Sequence, residues 1–107
     1  MMNRRDVFQA IADPTRRAIL TLVATGAMGP GAISTHFESS RQTISKHIQI
    51  LAECGLLSQE QKGREIFYHI NSHSMKEIAD YIEPFRLLWE ARFQKMESML
   101  TNLKNKT

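Results

Sequence analysis

The sequence predicts a mainly α-helical fold carrying one small β-hairpin, and three observations predict it. Apolar residues recur at intervals of three and four through most of the chain, one stretch near residue 60 alternates with a period of two, and Gly or Pro stands at the breaks. The 107 residues suit a single domain spanning 1–107. With 42% hydrophobic and 23% charged residues, 5 Gly and 3 Pro, the chain has the makeup of a globular protein rather than a disordered or fibrous one.

The first helix is short, with Val7, Phe8 and Ile11 at helical spacing. Asp13-Pro14 closes it and opens the second, an N-cap followed by proline at the first helical position. That second helix carries Ala18, Ile19, Leu22 and Val23 on one face and is expected to end at Gly26 in the left-handed conformation. Gly29-Pro30 starts a third, short helix with Ile33 and Phe37 turned inward, which Glu38-Ser39-Ser40 interrupts.

The fourth helix is the most informative. Ser39 with Gln42 three residues on fits a capping box, and Ser40 is the competing cap. Ile44, Ile48 and Leu51 form one buried stripe, and Gly55 stops the helix. Off that stripe stand Arg41, Gln42, Thr43, Ser45, Lys46 and Gln49, short or forked hydrogen-bonding side chains. A solvated face normally mixes both signs of charge, yet no acidic residue falls between Glu38 and Glu53, where Arg41, Lys46 and His47 lie. Such a face suits base edges and phosphates, with Arg matching guanine and Gln matching adenine.

After Gly55 the period changes to two. Leu57, Gln59 and Gln61 alternate against Ser58 and Glu60, then Ile66, Tyr68 and Ile70 against Glu65, Phe67 and His69, with Lys62-Gly63 between the two runs. This predicts a hairpin in which Gly63 supplies the positive φ of a tight turn. Lys62 and Arg64 flank the tip, where they meet either phosphate or solvent. Two helices at a turn followed by a hairpin make the order of a winged helix-turn-helix, whose second helix enters the major groove. The DNA-facing set is then Ser40, Arg41, Gln42, Thr43, Ser45, Lys46, His47, Lys62 and Arg64.

The last third predicts a partner. Met75, Ile78, Ala79, Ile82, Phe85, Leu88, Trp89, Phe93, Met96, Leu100 and Leu103 form a near-continuous apolar stripe over a helix at about 74–104. Thirty helical residues extend roughly 45 Å, more than so small a domain can cover. A homodimer through the N- and C-terminal helices follows, with Val7, Phe8, Ile11, Ile82, Phe85, Trp89, Phe93, Met96 and Leu100 at its surface. Pro84 either kinks this helix or restarts it at a first helical position. The competing reading of Phe85, Trp89, Phe93 and Met96 is the lining of a small-molecule pocket.

Charge is uneven along the chain. Through Arg64 there are eight basic residues, Arg4 and Arg5 among them, against five acidic ones, whereas the remainder is neutral. A basic front suggests a polyanion or simply a basic solvated surface. The longest apolar run, Ala18 to Ala24 interrupted by Thr21, is too short to span a bilayer, and Asp6, Gln9 and Asp13 break any signal peptide after Arg4-Arg5. The single Cys54 allows no intrachain disulfide, so the cytoplasm is the expected compartment and no membrane partner is expected. Cys54 reads as a small buried residue rather than a redox switch.

These residues resemble the ArsR/SmtB family of bacterial winged-helix transcriptional regulators. Phe8-Gln-Ala-Ile-Ala-Asp-Pro-Thr-Arg-Arg-Ala-Ile-Leu20 is similar to the family's opening signature, Ile44-Ser-Lys-His-Ile-Gln-Ile-Leu-Ala-Glu-Cys-Gly-Leu-Leu57 to its recognition helix and exit, and Lys62-Gly-Arg-Glu-Ile-Phe-Tyr68 to its wing. The resemblance covers most of residues 5 to 70 and implies a homodimer that binds operator DNA and releases it to an effector, here unknown. It departs from the family's metal sensors. Pro30-Gly-Ala-Ile-Ser-Thr-His-Phe37 lacks their cysteine pair, Asn71-Ser72-His73 has Asn where they carry a carboxylate, and no His follows residue 73. His36, His47, His69 and His73 make no ligand set, so no metal or other cofactor is expected.

The predicted function is therefore a sequence-specific DNA-binding transcriptional regulator, a homodimeric repressor at an inverted-repeat operator. An enzyme is excluded by the lack of a nucleophile-base pair, a carboxylate pair or a Gly-rich phosphate loop. The alternatives are a small-molecule or redox sensor acting near Trp89, and a protein-binding winged helix without DNA activity.

Overall fold

The computed structural model describes residues 6–105. Arg4 and Arg5, counted in the basic front, lie outside the described residues. The elements are α1 (Val7–Ala10), α2 (Pro14–Val23), α3 (Pro30–Ser34), α4 (Arg41–Glu53), β1 (Leu57–Lys62), β2 (Glu65–Ile70) and α5 (Ser72–Asn105).

Side-chain caps set three of the helix starts. Asp6 accepts from the Gln9 amide, and one Asp13 carboxylate oxygen accepts from the amides of Thr15 and Arg16 at 2.8 and 3.1 Å. On α4 the competing cap wins. Ser40, not Ser39, accepts from the Thr43 amide at 3.2 Å. The end of α2 also differs from expectation. The helix stops at Val23, the amides of Thr25 and Gly26 bond to the carbonyls of Leu22 and Val23, and Gly26 is near-extended at φ +159. A tight turn closes this end, so no left-handed cap is required. Gly55, at φ +83 after α4, does take that role.

The core gathers Ile19, Leu20 and Val23 of α2, Ile33 of α3, Ile44, Ile48 and Leu51 of α4, Leu56, Leu57 and Ile78, with Cys54 buried beside them. Leu20 occupies the inward place expected for Ala18, which is exposed, because the α2 stripe is centred on Ile19 and Val23. Val7 is a second correction. Expected on a dimer surface, it is 4% exposed, because Val7 and Ala10, three apart on the single turn of α1, both point into the core. Phe8 is left outward and Ile11 half-buried.

Strands β1 and β2 pair antiparallel from Leu57 opposite Ile70 to Lys62 opposite Glu65. The two-residue connection is thus Gly63-Arg64, one residue later than Lys62-Gly63, and Gly63 holds the positive φ of +65. Met28 and Tyr68 exchange two backbone hydrogen bonds of 3.0 and 2.8 Å, which tie the loop before α3 to the hairpin.

Helix α5 is one continuous helix of 34 residues with Pro84 inside it, so Pro84 starts no new helix. Around it, Arg86 pairs with Glu83 at 2.7 Å and with Glu90 at 2.8 Å, and the guanidinium holds the Glu83 carboxyl below its usual range. At 1.5 Å per residue α5 runs about 51 Å, and Ile78 is its one buried residue. The molecule is accordingly elongated, 69 × 35 × 24 Å.

Candidate nucleic-acid interface

The interface is built on α4. Burying Ile44, Ile48 and Leu51 fixes the rotation of the helix and turns Gln42, Ser45, Lys46 and Gln49 outward, a ridge at i, i+3, i+4 and i+7. With Ser40 and Arg41 these residues line one open concave surface. The ridge carries no carboxylate, and the positive end of a 13-residue helix lies at its head, which favours an anion there.

The expected DNA-facing residues do not all have the same freedom. Ser40 and Thr43 are exposed, but their hydroxyls bond each other at 2.9 Å in the cap. The Arg41 guanidinium reaches back to α3, where a Cβ on Gly31 would stand 3.3 Å from its Nη2, and borders a groove against Ile66 and Phe67 of the hairpin. His47 lies beside the ridge rather than on it: it is half-buried, its Nδ1 3.3 Å from Nη1 of Arg16 on α2. Gln42, Ser45 and Lys46 stand open.

Lys62 and Arg64 are exposed at the hairpin. Lys62 Nζ lies 4.0 Å from Glu60 Oε1, with both side chains more than half exposed. Such a pair is worth at most about 1 kcal/mol, so a phosphate can readily replace the carboxylate. Gln49, on the polar face of α4 expected from the sequence though outside the DNA-facing set, belongs to the ridge. Its signal was the spacing of seven from Gln42, two helical turns along the same face. Arg16 gave no local signal, because its partner His47 is 31 residues away.

On α5 the expected dimer residues Ile82, Phe85, Trp89, Phe93, Met96 and Leu100 are all exposed, Trp89 by 46% and Phe93 by 63%. A single chain therefore does not enclose Phe85, Trp89, Phe93 and Met96 as a pocket. Among the described residues no three His, Cys, Asp or Glu side chains are grouped to hold a metal ion. No helix of the described residues is long and apolar enough to cross a membrane.

Known proteins share this arrangement. A family model described as a helix-turn-helix domain matches residues 11–60. The transcriptional repressor SdpR of Bacillus subtilis is 39% identical over 80 residues, which cover 75% of this chain and 89% of SdpR. An ArsR-like transcriptional regulator from Rhodococcus superposes with a TM-score of 0.66 at 31% identity, covering 87% of this chain and 88% of that one. The cadmium sensor CMTR of Mycobacterium tuberculosis superposes with a TM-score of 0.56 at 32% identity, covering 69% and 78% respectively.

Proposed function

The chain belongs to the ArsR/SmtB family of winged helix-turn-helix transcriptional regulators, which bind DNA and are not enzymes, and from that membership we propose that it acts as a homodimeric repressor at an inverted-repeat operator. The observation that carries this reading is the acid-free ridge Gln42, Ser45, Lys46 and Gln49 on α4. In the groove, Arg41, Gln42, Ser45 and Gln49 meet base edges, with Ser40, Thr43 and Lys46 at flanking phosphates. Lys62 and Arg64 hold the adjacent backbone from the wing.

The exposed apolar face of α5, with Phe8 against its root, supports a second copy of the chain as the partner. Two-fold pairing sets two recognition helices on one side of B-DNA, with half-sites about 10 base pairs apart or a multiple of that. A repressor sign is supported by the likeness to SdpR, which is named a transcriptional repressor. We place the protein in the cytoplasm, as its single Cys54 suggests, and without a metal effector, since residues 30–37 hold no thiol and Asn71 stands where a carboxylate would accompany His73.

Selection of bound duplexes from a random pool tests the reading. The expected product is an inverted repeat with that spacing. Absence of any enriched sequence counts against DNA recognition, and enrichment of an unrepeated site counts against the dimer.

A further inference from the structure

Arg16 is held on three sides. Its Nε donates to the Ala10 carbonyl at 2.7 Å and its Nη2 to the Gln9 carbonyl at 3.2 Å, both at the end of α1, while Nη1 lies 3.3 Å from Nδ1 of His47 on α4. A guanidinium has five N–H donors and no acceptor. In this contact Nδ1 must therefore accept, which places the proton of the neutral ring on Nε2. No buried side-chain nitrogen or oxygen among the described residues lacks a partner. Among the described residues no hydrogen bond involves Nε2, and the ring is only half-buried, next in sequence to Lys46 of the ridge.

We infer that Arg16 is a positioning residue for DNA binding that acts through His47. It selects the Nε2–H form of the imidazole, fixes the ring on the second turn of α4, and so presents the Nε2–H as a donor to a phosphate oxygen. The logic is that of other histidines whose working nitrogen is set by the bond the opposite nitrogen makes. The same guanidinium grips α1, so the recognition helix is seated against the element that stands at the proposed dimer surface. This inference rests on the reading that α4 meets DNA.

Two measurements on the full chain test it. Nitrogen-15 NMR of the histidine rings in the DNA-free protein, in mildly alkaline buffer, is expected to show His47 as the Nε2–H form, and Arg16→Met is expected to give a mixture of forms. An Nδ1–H ring in the native protein overturns the inference whether or not the chain binds DNA. The second is a double-mutant cycle on the selected duplex. Arg16→Met is expected to weaken binding about tenfold in the native background, the scale of one lost hydrogen bond to a charged group, and less than about twofold once His47→Gln is present. Equal losses in both backgrounds overturn the inference, as does a fall of about one unit in the salt slope, which would mark Arg16 as a direct phosphate ligand. Arg16→Lys, which keeps the charge without the fork, replaces Arg16→Met in the cycle should the latter melt early. Failure of the native chain to bind any duplex rejects the DNA reading itself, while the ring spectrum still judges the Arg16 to His47 step.

Discussion

Phe8 on α1 and Tyr81 on α5 meet edge to face, with ring centroids 5.0 Å apart and planes at 64°, and Tyr81 in turn faces Phe85 at 5.6 Å. Such pairs add about 0.5–1.5 kcal/mol beyond the area they bury. Here they fasten the root of α5 to α1. Beyond Phe85 no such ring pair is found among the described residues, and Trp89, Phe93, Met96, Leu100 and Leu103 remain open.

Assembly follows from that open face. Trp89→Asp or Phe93→Asp is expected to yield monomers or aggregates with little change in helix content, since neither side chain belongs to the core of its own chain. Sedimentation velocity at micromolar concentration reads this directly. A monomeric native protein under those conditions contradicts the dimer.

Asp13 makes stability depend on pH. The Arg16 and Thr15 amides that donate to its carboxylate hold its pKa below the ordinary 3.8. A group depressed in the folded state stabilises it above the unfolded value, and that contribution fades as pH falls through the lowered folded value. Asp13→Ala is expected to cost about 1 kcal/mol near neutrality, as loss of an N-cap does. Asp13→Asn should sit between native and alanine at pH 7 and lose its difference from native in strong acid. Urea titrations at several pH values check this, and a gap that widens on acidification contradicts the assignment.

Metal should have no effect on DNA binding. The stretch Pro30–Phe37 has no thiol, and Asn71 replaces the carboxylate that would accompany His73. Operator affinity is expected to be the same with zinc, cadmium, arsenite or EDTA. A stoichiometric metal bound through His73 contradicts this.

Much of the fold was legible because burial imposes a period. The stripe Ile44, Ile48 and Leu51 fixed α4, and alternation around Gly63 fixed the hairpin. Features decided by tertiary contact were not legible. Val7 and Phe8 both fit an apolar helix face, and only the seating of α1 determines that Val7 goes inward. The hairpin turn moved by one residue because the pairing of Lys62 with Glu65 left Gly63-Arg64 as the connection. Pro84 allowed either a kink or a restart from local rules, and the continuity of α5 excludes the restart. In the interface, the open residues of α4 followed from periodicity, whereas the contact of His47 with Arg16 joins segments 31 residues apart and leaves no local pattern.

The central claim is that α4 reads sequence while the hairpin holds phosphate, and one salt series decides it. Arg41→Ala, Gln42→Ala, Lys62→Ala and Arg64→Ala would be titrated against the selected operator and a scrambled duplex across a range of salt. The two α4 variants are expected to lose about 1–3 kcal/mol on the operator and to discriminate less against scrambled DNA. The two hairpin variants should weaken both duplexes alike and flatten the slope of log affinity against log salt by about one unit for each lost contact, doubled in a dimer. Hairpin variants that leave that slope unchanged, or α4 variants that lose equally on both duplexes, contradict the account.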